Sequence, residues 1–142
     1  MNWLPRKTII VPIDFSEGSF DALATAREMV DDPDDLHVVH VLPNLEANDP
    51  GVIWQTIDDA SRGRHARESL RQGIRDHGQE PVDIVILFGD PGHEIADYAN
   101  EVDAGLVVVS SHGKTALQHL LIGSVAERVV RLAQCPVLVL RK

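Results

Sequence analysis

The stretch Gly105-Leu106-Val107-Val108-Val109-Ser110-Ser111-His112-Gly113, followed after nine residues by Gly123-Ser124-Val125, decides how the rest of the sequence is read. Its apolar run has the length and composition of a strand buried on both faces, as in a parallel sheet. The run ends in a loop of small residues. Beyond the spacer, Val125, Ala126, Val129, Val130 and Ala133 recur at helical intervals, so a second small-residue turn opens a helix, with Ser124 expected at its N-cap. Such a strand, loop and helix suit a polyphosphate. Glycine lets the backbone approach an anion, and the N–H groups of a helix's first turn point at it with a favourable dipole. On this reading Gly113 and Gly123 hold conformations or ligand distances that a Cβ would disturb. Their alternative role is to punctuate a loop.

The same alternation runs outward through the whole chain. Lys7 to Ile13, Leu36 to Leu42, Val82 to Leu87, Leu106 to Val109 and Val137 to Leu140 read as strands. Ser16 is placed to cap a helix carrying Phe20, Leu23, Ala24, Ala26, Met29 and Val30, which stops at Asp31-Asp32-Pro33. A weakly amphipathic helix is expected over Val52 to His77, with Ile57, Ala60, Ala66, Leu70 and Ile74 inward and Gly63 and Gly73 weakening its continuity. Asp90 and Pro91 open a helix carrying Ile95, Ala96, Ala99 and Val102. Strands alternating with helices define an α/β fold with a parallel sheet and right-handed crossovers. The 142 residues, 1–142, are expected to form a single domain.

Charge and composition exclude several classes. A net charge of −9 argues against a nucleic-acid backbone as partner, since that affinity comes from clustered cations. The one basic cluster, Arg62, Arg64, Arg67, Arg71 and Arg75, is interleaved with Asp58, Asp59, Glu68 and Asp76 and reads as a solvated helix face. The apolar runs are too short for membrane insertion. The start of the chain carries no signal-peptide pattern and there is one cysteine, so a cytoplasmic location is expected.

The spacing at Gly113, Gly123 and Ser124 resembles the universal stress protein family, whose nucleotide-binding pattern after the fourth strand is Gly-x-x-Gly, nine residues, Gly-Ser/Thr. Ser110 stands where that pattern has its first glycine. Three further segments carry the resemblance in the same order: Ile9-Ile10-Val11-Pro12-Ile13-Asp14-Phe15-Ser16, Gly89-Asp90-Pro91, and Cys135-Pro136-Val137-Leu138-Val139-Leu140. The resemblance implies an open five-stranded parallel sheet of order 3-2-1-4-5 with helices on both faces, a Rossmann-like fold akin to the adenine nucleotide alpha hydrolases. It implies ATP as ligand, with Pro12, Ile13, Asp14 and Val41 around the adenine and ribose. Ser110, Ser111, His112, Gly113, Gly123, Ser124 and Val125 would surround the ribose and phosphates. It also implies a homodimer paired through Val137 to Leu140. Magnesium or manganese would be held mainly by the phosphates, with Asp14 the nearest carboxylate.

Other chemistries fit less well. Gly113-Lys114-Thr115 is no P-loop, because the position five before Gly113 is Val108, inside the strand. Lys114 remains open as a phosphate contact or a solvated loop lysine. His37 and His40 lie on opposite faces of one strand; His65, His77, His93, His112 and His119 are scattered, and Cys135 is alone, so no zinc-type spacing exists. Adjacent Ser111 and His112 make no triad, and only Arg128 and Arg131 are placed to assist phosphoryl transfer. The expected function is a stress-response sensor or adaptor, not an enzyme, that binds ATP as a signal and acts on a protein partner the sequence does not identify. A nucleotide-independent dimeric interaction module and a weak ATPase are the alternatives.

Overall fold

A computed structural model describes residues 3–46, 48, 58–111 and 122–141. Five strands form one sheet: β1 (Ile9–Pro12), β2 (Leu36–Leu42), β3 (Ile84–Phe88), β4 (Leu106–Ser110) and β5 (Val137–Leu140). Four helices are described: α1 (Glu17–Arg27), α2 (Asp59–Asp76), α3 (Pro91–Glu101) and α4 (Ser124–Leu132). The strand order is β3-β2-β1-β4-β5 and every pairing is parallel. The α/β class and the 3-2-1-4-5 order thus stand as expected.

Parallel strands need helical crossovers, so both sheet faces are covered and the central strands become apolar throughout. Ile9 and Val11 face one layer with Phe20, Leu23 and Ala26 of α1 and Leu70 and Ile74 of α2. Ile10, Val107 and Val109 face the other, with Ile95 and Ala99 of α3 and Ala126 and Val129 of α4. Side chains alternate along each strand, and this assigns the residues to the two cores.

Several boundaries differ from the sequence reading. β1 starts two residues late because Thr8 takes a left-handed φ of 54° and cannot join the ladder. β3 is shifted toward Phe88. Asp58, extended at φ −144°, caps α2 through the Ser61 N–H, so that helix begins at Asp59 rather than Val52; residues 52–57, with Ile57, lie outside the described residues. Ala60 is exposed, while Gly63 is buried in its place. The two glycines are therefore packing residues of α2. Gly63 lies over Ile86 and Phe88, and Gly73 makes room for the Phe20 ring, which stacks on His77 with centroids 3.9 Å apart.

The five arginines of α2 are not simply a solvated face. Arg67 Nε donates to the Ile84 carbonyl at 3.4 Å, and Arg62 lies 5.6 Å from the Phe88 ring centroid while donating to Pro43 O at 2.6 Å. Two long side chains of α2 thus lean over the β3 edge of the sheet.

Substitutions at the two glycines are expected to have opposite signs. Alanine gains up to about 1 kcal/mol of helix propensity over glycine. At Gly63 the new Cβ would sit 3.8 Å from Ile86 Cγ2, an ordinary contact, so Gly63→Ala should stabilise. At Gly73 it would come within 2.9 Å of Phe20 Cζ, and the ring could withdraw only by leaving the His77 stack, so Gly73→Ala should cost about 1–3 kcal/mol net. Urea denaturation of both variants checks this; equal effects would refute the packing assigned to the two positions.

Candidate functional site

Strand order reverses between β1 and β4, since the chain builds outward from β1 to β3 on one side and from β4 to β5 on the other. In open α/β sheets the crevice at that switch, beyond the carboxyl ends of the strands, is where ligands bind. The segments that end β1, β2 and β4 and the one that starts α4 meet this definition.

The β1 side is a tightly bonded turn. Ile13, buried, donates its N–H to Val39 O at 2.9 Å. Asp14 is half-buried, and its Oδ1 accepts from the Ser16 N–H at 3.0 Å and from Ser16 Oγ at 2.5 Å. Ser16 Oγ in turn accepts from the Ser19 N–H and caps α1 as expected. Between them Phe15 holds φ at 68°, a conformation uncommon for a bulky residue. This turn fixes Asp14 while committing one of its oxygens. Pro12 is the last residue of β1 and half-buried beside it.

On β2, Val39 turns its carbonyl toward β1, and the two-residue alternation turns the N–H and C=O of Val41 the same way. The β1 ladder ends at the Pro12–Val39 pair, so Val41 has no backbone partner from β1 among the described residues. Its donor and acceptor face the crevice side by side.

The β4 side is built on Ser111. Ser110 closes β4 opposite Leu140. The Ser111 N–H donates to Leu140 O at 2.8 Å, and Ser111 O accepts from the Gly123 N–H at 2.5 Å. The Ser111 hydroxyl is buried without a hydrogen-bond partner among the described residues, which is uncommon for a native polar group. Gly123, not Ser124, is the N-cap of α4; Ser124 is the first helical residue and exposed, because the Ser111 bond places the chain's turn one residue earlier. Gly123 has φ −62° and ψ 155°, open to any residue, so its backbone conformation does not require glycine. Ser16, Asp58 and Asp90 cap the other three helices with side-chain oxygens, whereas α4 has no side-chain cap. Its first-turn N–H groups, Val125 included, retain the positive end of the helix dipole. His112, Gly113 and Lys114 lie outside the described residues.

The Gly89 conformation and the His40 contact are features of this end of the sheet that the sequence reading does not include, whereas Arg128 is one it places near the site. Gly89 follows β3 with φ 135°, where its N–H reaches Leu42 O at 2.9 Å. Nothing local in Gly89-Asp90-Pro91 reveals that φ. Arg128 donates to both carboxylate oxygens of Asp90 at 2.8 Å, tying α4 to the α3 N-terminus, and this pairing holds the Asp90 carboxyl below its ordinary range. Arg131 pairs with Glu127 at 2.9 Å. His40 turns its Nδ1 to Ile13 O at 2.6 Å, while His37, on the other face, contacts the Tyr98 hydroxyl at 2.9 Å. A histidine interrupting an apolar strand near its end was the available signal for the His40 contact. Among the described residues no cluster of three His, Cys, Asp or Glu could hold a metal ion.

Fold and site define a doubly wound parallel α/β protein whose switch-point crevice presents an uncapped helix N-terminus, a buried hydroxyl and an open peptide edge. Residues 5–141 match the universal stress protein family, and the chain belongs to that family. The universal stress protein MJ0531 of Methanocaldococcus jannaschii is 33% identical over 142 residues, covering 96% of this chain and 82% of the relative. The solved structure of MJ0577 from the same organism superposes with a TM-score of 0.75 at 27% identity, over 98% of each chain. A universal stress protein from Archaeoglobus fulgidus, solved in complex with dAMP, gives a TM-score of 0.61 at 25% identity, over 96% of this chain and 98% of its own.

Because the Ser111 hydroxyl is buried without a partner, removing it should not harm the fold. Ser111→Ala is expected to leave stability unchanged or raise it by up to about 1 kcal/mol. Denaturant titration checks this, and a loss of that size would show the hydroxyl to be bonded in solution.

Proposed function

We propose that this chain binds ATP in the β1/β4 crevice and works as a nucleotide-dependent sensor or adaptor in a stress response. The observation that carries the reading is the α4 N-terminus, the one of four described that no side chain caps, bonded through Gly123 to Ser111 at the switch point. An uncapped helix start is an anion site by its partial charges, and here it lies beside a buried hydroxyl that has no partner among the described residues. Ser110, Ser111, Gly123, Ser124 and Val125 then surround ribose and phosphates, with His112 and Gly113 completing the loop. Pro12, Ile13, Asp14 and Val41 surround adenine and ribose; the N–H and C=O of Val41 match the acceptor and donor of an adenine edge. The dAMP complex of the Archaeoglobus relative supports an adenine nucleotide as the ligand class. Magnesium or manganese would be carried by the phosphates, with Asp14 nearest.

Bound ATP acts here as a signal, not a substrate. The two arginines of α4 are both committed to carboxylates, Arg128 to Asp90 and Arg131, in the last turn, to Glu127, so neither is poised over a transferring phosphoryl group.

The adaptor works as a homodimer through β5. The sheet has two edges, and they are treated differently. Arg62 and Arg67 lean over β3, whereas β5 carries four half-exposed apolar residues and follows a helix that leaves Val130 49% and Leu132 37% exposed. Pairing β5 with its copy across a two-fold axis removes this edge.

Heat- or acid-denatured purified protein is expected to release adenine nucleotide, read by mass spectrometry. Gly123→Val should weaken ATP binding at least about tenfold in calorimetric titration, near 1.4 kcal/mol. A chain that neither carries nor takes up ATP would leave the interaction-module reading in its place.

Light scattering should find the protein dimeric at micromolar concentration, and Val139→Pro, which removes a ladder donor from β5, should give monomers or aggregates. A wild-type monomer, or a dimeric proline variant, would remove this interface.

A further inference from the structure

His40 interrupts the apolar run of β2 near its end, and its ring reaches the β1–α1 turn. Its Nδ1 lies 2.6 Å from Ile13 O. A carbonyl oxygen only accepts, so Nδ1 carries the proton. The ring also meets the Phe15 ring edge-on, centroids 5.2 Å apart and planes at 78°. One imidazole therefore braces both residues flanking Asp14, including the one held at φ 68°.

The bond to Ile13 O has a second consequence. Ile13 N–H pairs with Val39 O, and regular parallel pairing would continue by returning Ile13 O to the N–H of Val41. That bond is not formed among the described residues, and the His40 ring takes the carbonyl instead. The result is a turn that leaves the sheet at Ile13 and a Val41 peptide edge facing the crevice without a β1 partner.

We infer that His40 is a positioning residue of the base subsite: by donating Nδ1–H to Ile13 O it holds the β1–α1 turn off the β2 ladder and keeps the Val41 peptide edge open to an adenine base. This rests on the ATP reading above. Without the imidazole donor, Ile13 O regains Val41 N–H as its best partner, the base edge is covered, and the Phe15 turn loses its brace. The effect falls on recognition of the base, because among the described residues His40 bonds to Ile13 and meets Phe15 but makes no bond to Ser111, Gly123 or the α4 N-terminus.

The test titrates the full chain with ATP and with GTP in parallel, for wild type, His40→Leu, His40→Asn and His40→Gln. The amide N–H of asparagine falls near the place of imidazole Nδ1, that of glutamine near Nε2. His40→Leu and His40→Gln should lose at least about tenfold in ATP affinity and move the ATP-to-GTP ratio toward one. His40→Asn should stay within about threefold of wild type on both measures. Retained ATP affinity in a folded His40→Leu, or rescue by Gln as good as by Asn, overturns the inference. A wild type that binds neither nucleotide overturns the ATP reading first, and is seen before any variant is compared. Nitrogen NMR of the wild-type imidazoles decides independently of variant folding: His40 should be the Nδ1–H tautomer, and an Nε2–H tautomer overturns the assignment.

Discussion

Ser111 ties three elements together through its peptide groups. Its N–H holds the end of β5 at Leu140 and its carbonyl receives the N–H of Gly123, so the register of β5 and the start of α4 are set by one residue. Its near-complete burial shields both bonds from water, and in that low-dielectric interior a hydrogen bond is electrostatically stronger. The outward edge of the sheet, the direction of α4 and the exposure of that helix's first turn all follow from it. Its hydroxyl, beside these satisfied backbone groups, has no hydrogen-bond partner among the described residues.

The helix termini show how the chain distributes its polar groups. Ser16, Asp58 and Asp90 satisfy the first turns of α1, α2 and α3, and Asp90 adds a two-oxygen pairing with Arg128. Each such cap is worth about 1 kcal/mol. At α4 the cap is Gly123, whose missing side chain forgoes that stabilisation. A helix end left uncapped while its neighbours are capped, and anchored to the strand at the switch point, is a local concession of stability where the crevice lies.

The fold was legible because burial on both faces writes itself as continuous β-branched runs. Leu36–Leu42 and Val137–Leu140 were read with their observed limits, and Ser16, Asp90 and Pro91 marked their helices. What stayed hidden depends on contacts between distant elements. Gly63 and Gly73 weaken a helix in isolation, and only β3 and Phe20 explain them. The arginines of α2 look like a solvated stripe until the β3 edge is beside them. Ser124 is the better capping residue by type, yet Gly123 takes the position because its N–H bonds to Ser111 O at the end of β4; the deciding bond joins residues far apart in sequence, which propensity does not see.

The left-handed residues sharpen that division. Thr8 and Phe15 stand just outside the two ends of β1 with φ of 54° and 68°, values that local propensity disfavours for both. The cost of each is of order 1–3 kcal/mol and has to be offset by fixed surroundings. At Thr8 the carbonyl accepts from Gly105 N–H at 3.0 Å, which joins the start of β1 to the start of β4. At Phe15 the offset comes from the Asp14–Ser16–Ser19 bonds on one side and the His40 ring on the other. β1 is thus stopped sharply at both ends, the shortest way to finish a central strand while its neighbours β2 and β4 continue past it. The gap so left beyond Pro12, with Val41 on one side and Ser110 on the other, is the crevice itself: it opens because the middle strand of the sheet is cut short.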